Sequence, residues 1–317
     1  MRRVMAVLGL WVLVACGGGG SSPTASGGSA AAPAPTPTPA PSGWPAATTV
    51  QLVNGETGQP VAGSLIVAGA TVQSGTPLAS SAAEGATVDV TIAGFLPRQT
   101  LVRTGETRLV LWPESGRLPG DYTRALVFTS AGGSGSLDVM RRMATRVRTI
   151  AVVLSASIQA DSEAVAAHRE AIEALNNATV PLGVTYVLGG TGDFSVPATV
   201  DPSASSCANS TTRAVTNRWT SSANEIVRAE LTYCRDAIAR TPGTIVHELG
   251  HTFGLQHSIE PSDTMYPYAQ SSRATVPTSK ESLTMSLMRA RRSGTEWPDN
   301  DRAATAAAAV HFESIVD

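Results

Sequence analysis

Residues 247–257 read His-Glu-Leu-Gly-His-Thr-Phe-Gly-Leu-Gln-His, and this stretch holds three of the five histidines in the 317-residue chain. On a helix, residues four apart project from the same face, so the imidazoles of His247 and His251 can reach one ion. Glu248 projects from an adjacent face, where it can meet a water on the ion without binding the ion itself. The spacing therefore predicts a helix that carries two metal ligands and a general base.

Gly254 stands where this predicted helix has to end. Glycine tolerates the left-handed backbone conformation that a turn at a helix C-terminus requires. Such a turn brings His257, six residues after His251, back towards the same ion. Three neutral imidazole nitrogens and one water would complete a tetrahedral, open site of the catalytic zinc type.

The full pattern, HExxHxxGxxH, resembles the signature of the metzincin zinc metallopeptidases. Members of that clan have a methionine turn beneath the metal, and residues 263–268 here read Asp-Thr-Met-Tyr-Pro-Tyr. The His257-Ser258 pair and the Met265-Tyr266-Pro267 run are most similar to the matrixin branch. The resemblance implies that Met265 packs its thioether under the imidazoles. It also implies an α+β catalytic domain with a mixed, twisted sheet and an active-site helix.

The same resemblance implies a zinc-dependent endopeptidase that hydrolyses protein substrates, with one catalytic Zn²⁺ and Glu248 as general base. The substrate would bind as an extended peptide at a sheet edge, which we place in the strand predicted within residues 226–233. The alternative is a non-catalytic surface or adhesion lipoprotein that retains a structural metal site. Glu248 favours the enzyme, because structural zinc sites need no base and fill the fourth position with a protein ligand.

Two features depart from the family pattern. No cysteine lies between Cys16 and Cys207, so a cysteine that blocks the metal from a prodomain is not expected. In some other branches a tyrosine two residues after the methionine is a mobile ligand, but here that position is Pro267. We therefore assign no transition-state role to Tyr268.

The N-terminus resembles a bacterial lipoprotein signal. Arg2 and Arg3 precede an apolar run at residues 4–14, which is too short for a stable membrane span and fits a signal peptide. The run leads to Leu-Val-Ala-Cys, ending at Cys16, so residues 1–16 are interpreted as a signal peptide with a lipidated cysteine. An ordinary signal peptide with an incidental cysteine is the alternative. Gly17 favours export to the outer membrane, where the lipid would anchor the protein.

Composition divides the rest of the chain. Residues 17–47 are rich in Gly, Pro, Ala and Thr and predict a disordered linker. Short β-prone runs between Gly and Pro turns in residues 48–113 predict a small all-β module, similar to immunoglobulin-like or transthyretin-like modules. This module could bind a partner or a glycan, act as a spacer, or carry the main function. Residues 121–317 would form the peptidase domain, with a first buried strand at residues 125–129.

The remaining signals concern cross-links, ions and partners. Cys207 and Cys234 form an even pair in an exported chain, which favours a disulfide over two buried thiols. Residues 299–301, Asp-Asn-Asp, could ligate Ca²⁺, but they lack the spacing of a calcium motif, and a polar turn is preferred. The net charge of −2 and the absence of a basic cluster argue against nucleic acid. A monomer that acts on a protein or peptide substrate is expected.

Overall fold

The computed structural model describes residues 42–114, 117–128, 139–268, 274–302 and 311–316. Contacts divide the chain into two units, Met1–Ala40 and Pro41–Asp317. The predicted signal peptide, Cys16 and most of the predicted linker lie outside the described residues. Within the described ranges, no helix combines the length and apolarity needed to cross a membrane.

The first part of the described chain consists of short strands joined by tight turns. Strand residues alternate between buried and exposed, as Leu65 and Val67 do against Ser64 and Ile66, because one face of the sheet covers the core. The strands are β1 (Gly43–Trp44), β2 (Gln51–Asn54), β3 (Ser64–Val67), β4 (Ala70–Gln73), β5 (Ala82–Ala83), β6 (Thr87–Val90), β7 (Arg98–Leu101) and β8 (Arg108–Leu111).

These strands form three small sheets. Four of them make an antiparallel sheet in the order β4-β3-β6-β7, while β2 pairs with β8 in parallel and β1 with β5 antiparallel. Their apolar side chains, among them Trp44, Leu52 and Val88, form a core cluster of their own. Residues 48–113 are therefore rich in strand, while an immunoglobulin-like or transthyretin-like arrangement stays a prediction.

A mixed sheet organises the second part of the described chain. Its strands are β9 (Arg142–Met143), β10 (Thr149–Leu154), β11 (Thr185–Leu188), β12 (Phe194–Val200), β13 (Ala214–Thr220), β14 (Glu225–Tyr233) and β15 (His311–Val316). The order is β11-β10-β12-β14-β13-β15, and β9 pairs with β14 off this path. Neighbours along β11-β10-β12-β14 run parallel, whereas β13 runs antiparallel to both β14 and β15.

Helices pack on this sheet. They are α1 (Gly120–Thr123), α2 (Ala156–Gln159), α3 (Ser162–Thr179), α4 (Asp236–Ala239), α5 (Pro242–Phe253) and α6 (Ser279–Arg289). Helix α3 is capped by Asp161, whose carboxylate accepts hydrogen bonds from the backbone N–H groups of Glu163 and Ala164. Helix α6 begins with a capping box between Thr278 and Glu281. The α+β class expected from the sequence is confirmed.

The strand predicted at residues 125–129 is wrong. Residues Arg124–Phe128 instead form a π-helical segment that continues α1, and Thr129 lies outside the described residues. Leu126, Val127 and Phe128 are all buried. A short run that is apolar on every side has no period that could distinguish a strand from a helix, which explains the error.

The aspartates weighed as calcium ligands lie in a buried cluster of ion pairs. Asp299 pairs with Arg98 at 2.9 Å and with Arg291 at 2.7 Å, and Asp301 pairs with Arg98 at 3.1 Å. Arg98 belongs to β7, so the cluster joins the first part of the described chain to the segment after α6. The carboxylates are neutralised by guanidinium groups, which disfavours a cation at this position.

Candidate metal centre

Helix α5 carries the first two histidines of the motif. Pro242 occupies its first turn, and residues 243–253 are all buried, so the helix runs through the core. It ends at Gly254, whose φ of 128° is a conformation that L side chains rarely adopt. A Cβ built on Gly254 would also lie 2.4 Å from the carbonyl oxygen of Arg141. Both the turn and the close contact with the neighbouring backbone therefore require glycine at this position.

The three histidines of the motif converge. One nitrogen from each of His247, His251 and His257 lies within 4.8 Å of the others. The Nε2 atoms of His247 and His251 are 3.0 Å apart. Two nitrogens that bind one tetrahedral zinc at about 2.0–2.1 Å are separated by roughly 3.3 Å, so this spacing fits a shared ion.

Backbone carbonyls fix the orientation of two imidazoles. Nδ1 of His247 lies 2.7 Å from the carbonyl oxygen of Thr264, and Nδ1 of His251 lies 2.9 Å from that of Leu255. A carbonyl can only accept a hydrogen bond, so each Nδ1 carries the proton and each Nε2 presents its lone pair. This second layer of contacts selects the tautomer that binds a metal.

Met265 lies directly beneath α5. Its side chain is buried, and a Cβ built on Gly250 would lie 2.5 Å from its sulfur and 3.2 Å from its Cε. The glycine between the two helical histidines therefore lets the thioether approach the helix backbone. The sequence drew attention to Gly254 but not to Gly250, although the residue is part of the quoted stretch.

Buried carboxylates hold the loop that carries Met265. Oε1 of Glu281 accepts a hydrogen bond from the backbone N–H of Met265 at 2.7 Å. Asp263 accepts hydrogen bonds from the hydroxyls of Tyr122 at 2.8 Å and Ser258 at 2.6 Å. Burial raises the pKa of Glu281, and burial together with Asp263 raises the pKa of Tyr122. Tyr122 and Glu281 could not be found from the sequence, because their contacts join segments that are separated along the chain.

Strand β13 borders the candidate general base. The hydroxyl of Thr216 donates a hydrogen bond to Oε2 of Glu248, and both residues are buried. Two residues along the strand, Nη1 of Arg218 donates to the carbonyl oxygen of His251 at 3.0 Å. Thr216 and Arg218 are contacts of the site that sequence reasoning missed, since nothing in their local pattern distinguishes them from core residues.

The predicted peptide-binding edge within residues 226–233 is wrong. Strand β14 lies inside the sheet, with β12 on one side and β13 on the other. The alternation of its residues indicated a half-exposed strand correctly, but alternation reports the faces of a sheet and not its edges. The neighbour of β14 whose side chains contact the candidate metal centre is β13.

The two cysteines that follow Cys16 in the sequence are joined. Cys207 and Cys234 form a disulfide with a Cα–Cα distance of 5.3 Å. Cys207 lies in a 3₁₀ turn, and Cys234 follows directly after β14, so the bridge closes a loop that contains β13 and β14. The bridge ties the base of this hairpin, next to the strand that contacts Glu248. Tyr268, to which no role was assigned, is exposed.

A helix presents two imidazoles, a glycine turn returns a third, and a buried methionine lies below them. This arrangement is typical of the metzincin metallopeptidases. The family model of the matrixins matches residues 211–284, from just before β13 into α6. Across these residues the chain is similar to the matrixins.

The solved structure of metalloproteinase-II from Bacteroides fragilis is similar over 75% of this chain and 84% of that chain. The sequence identity is 12% and the TM-score is 0.31. No curated protein matches the chain.

Proposed function

We propose that this protein is a zinc-dependent endopeptidase that hydrolyses peptide bonds in protein substrates. The observation that carries the proposal is the convergence of His247, His251 and His257 beside the buried carboxylate of Glu248. The matrixin match over residues 211–284 includes all four residues. A structural metal site would have no use for Glu248 at this position, so the adhesion alternative is not favoured.

The donor set fits zinc. Imidazole nitrogens in the neutral form are ordinary zinc ligands, and in that form the two carbonyl contacts place the proton of His247 and His251 on Nδ1, so that Nε2 presents its lone pair. The cluster has three members among the described residues, so one position of a tetrahedral ion is left for water or a substrate oxygen. Zinc held there would polarise the scissile carbonyl and make the attacking water more acidic.

Glu248 performs the proton transfers in this proposal. Its carboxylate accepts a proton from the attacking water and then delivers that proton to the amine that leaves. The hydroxyl of Thr216, which donates to Oε2, holds the carboxylate in one orientation. Arg218 binds the carbonyl of His251 and so steadies the last turn of α5 while the reaction proceeds.

The decisive experiment compares two glutamate variants of the exported chain. Glu248→Gln should retain about one zinc per chain but cleave a peptide library roughly 10²–10⁴-fold more slowly, because only the base is removed. Glu230→Gln on β14 is the matched control, since that half-exposed side chain pairs with Arg228 and, as the register partner of Asn217, lies on the face of the sheet opposite to Thr216. A zinc chelator should abolish cleavage by the native chain. Cleavage that survives both the chelator and Glu248→Gln would refute the proposal.

The N-terminal pattern extends the proposal to location. We propose export and attachment to the outer membrane through a lipid on Cys16, with residues 17–47 as the tether. A monomer would then act on protein substrates near that membrane. Labelled palmitate should be incorporated into the native chain and not into Cys16→Ala, which should be released into the soluble fraction. Equal incorporation in both chains would overturn this placement.

A further inference from the structure

The outer edge of β13 is covered by the C-terminal strand of the same chain. β15 runs antiparallel to β13, with register partners from Val215 and Val316 to Thr220 and His311. β13 is also the strand whose side chains contact Glu248 and the carbonyl of His251. The sheet edge nearest the candidate catalytic centre is therefore occupied by residues 311–316.

The side chains of β15 alternate between the two faces of the sheet. Glu313 and Ile315 are buried, whereas Phe312 is exposed and packs its ring at 5.2 Å from that of Trp219. The buried residues lie on the same face as Thr216 and Arg218, their register partners in β13. The C-terminal strand thus turns an acidic and an aliphatic side chain towards the face that carries the catalytic helix.

Glu313 is held by two buried arginines. Oε2 of Glu313 accepts hydrogen bonds from Nη2 of Arg218 and, at 3.4 Å, from Nη1 of Arg141. The guanidinium of Arg218 is completely buried, and that of Arg141 is nearly so. Burial opposes the charge on Arg218 and Glu313 supports it, so this carboxylate compensates a charge that has lost its water.

We propose that β15 occupies the place of the substrate and that Arg218, with Arg141, selects a substrate that carries an acidic side chain. This inference rests on the proposed peptidase function and assigns its specificity and its regulation. An extended peptide can add to an exposed sheet edge through main-chain hydrogen bonds, and its alternate side chains then give specificity. The peptide that replaces β15 must use the same edge in the same antiparallel direction.

The identity of the substrate side chains follows from what β15 leaves behind. When Glu313 withdraws, the buried guanidinium groups of Arg218 and Arg141 lose their carboxylate partner. A neutral peptide in its place would leave their positive charge uncompensated. The favoured substrate therefore has an acidic residue opposite Arg218 and an aliphatic residue two positions later, opposite Thr216. Because β15 is tethered, its effective concentration is high, so the resting chain has low activity until such a peptide competes.

The experiment measures peptide binding to zinc-loaded full-length variants. In Glu313→Arg, like charges oppose Arg218 and Arg141, so β15 should leave the edge. The control is Ser314→Arg, which places the same charge at the neighbouring half-buried position opposite Asn217. The probe is a fluorescent peptide with the sequence of residues 311–317, His-Phe-Glu-Ser-Ile-Val-Asp. A second probe has Gln in place of its Glu.

We expect the first probe to bind Glu313→Arg. Its affinity for the native chain and for Ser314→Arg should be lower by a factor on the order of ten or more. The Gln probe should bind Glu313→Arg roughly tenfold more weakly than the Glu probe, because the charge-assisted hydrogen bonds to Arg218 are lost. Equal binding of the two probes, or equal binding by all three chains, would overturn the inference.

A second measurement covers the case in which Glu313→Arg does not fold. The native chain and Glu313→Gln are compared in kcat/KM for a pair of library peptides that differ only in Glu or Gln two positions before an Ile. The native chain should prefer the Glu peptide roughly tenfold, and Glu313→Gln should cleave it faster than the native chain. Absence of that preference contradicts the inference while leaving the peptidase intact. Probe binding without any cleavage would instead contradict the peptidase proposal.

Discussion

A Cβ built on Gly250 would lie 2.5 Å from the sulfur of Met265, so the helix that carries the histidines and the loop below it meet at a glycine. Gly250 lies one residue before His251, and Met265 follows Thr264, whose carbonyl oxygen accepts from His247. The contact thus sets the distance between α5 and the loop, next to the carbonyl of Thr264 that orients the imidazole of His247. Side-chain packing and the orientation of the His247 imidazole are therefore coupled here.

Gly250→Ala should therefore weaken metal binding. The added methyl group has to displace the thioether of Met265, and overpacking of this kind costs about 1–3 kcal/mol of folding stability. The control is Gly243→Ala in the first turn of α5, where the nearest atom, Cγ2 of Thr275, lies 3.3 Å from the added Cβ. Chemical denaturation and zinc titration check both variants. Unchanged zinc affinity in Gly250→Ala would show that the contact with Met265 does not position the histidines.

Glu281→Ala should destabilise the loop that carries Met265. Its two carboxylate oxygens accept from the backbone N–H groups of Met265 and Thr278, both at 2.7 Å, and the side chain is buried. Two donors would lose their acceptor, at a cost of about 2–4 kcal/mol in the free energy of unfolding. Ser282→Ala, at a half-buried position of the same helix, should change stability by less than about 0.5 kcal/mol. Urea denaturation of the two variants measures this difference.

His168 should make stability depend on pH. It is fully buried in α3, with Nδ1 2.7 Å from the carbonyl of Ala164 and Nε2 3.1 Å from the hydroxyl of Tyr233. Burial lowers the pKa of His168 below its ordinary value. The stability that it contributes is therefore complete above the unfolded pKa of about 6.5 and is lost as the pH falls through the lower folded pKa.

The melting temperature of the native chain should consequently fall between pH 7 and pH 5 more steeply than that of His168→Phe. Arg169→Gln, at an exposed position of the same helix, should keep the native slope. The three histidines of the candidate metal centre are present in all three chains, so the difference in slope isolates His168. Identical slopes for the native chain and His168→Phe would contradict the assignment.

Removal of the disulfide should destabilise the hairpin of β13 and β14. Cys207 and Cys234 are 27 positions apart, and a loop of this length gives about 3–4 kcal/mol in the chain-entropy treatment. The double variant Cys207→Ala and Cys234→Ala should melt at a lower temperature but still bind zinc, because no ligand lies in the loop. If calorimetry finds equal melting temperatures for the native chain and the double variant, the bridge does not stabilise the fold.

The sequence by itself determined the candidate metal centre. Its three imidazoles, Glu248 and the turn at Gly254 lie within eleven residues, so helical geometry alone brings most of the ligands together. The position of Met265 under the imidazoles was predicted from the resemblance to the metzincins, because residues 263–268 follow shortly after His257. The pairing of Cys207 with Cys234 was open from composition alone, and the fold closed it by bringing the turn before β13 next to the end of β14.

Only the tertiary structure decided which groups support and limit that centre. Thr216, Arg218 and Glu281 reach it from distant segments, and the residues around each have no pattern that reports such a contact. The segment Arg124–Phe128 is helical, but its run of apolar residues has no periodicity by which the sequence could distinguish a helix from a strand. The position of β13 between β14 and β15 depends on long-range strand pairing, which the local alternation of side chains cannot specify.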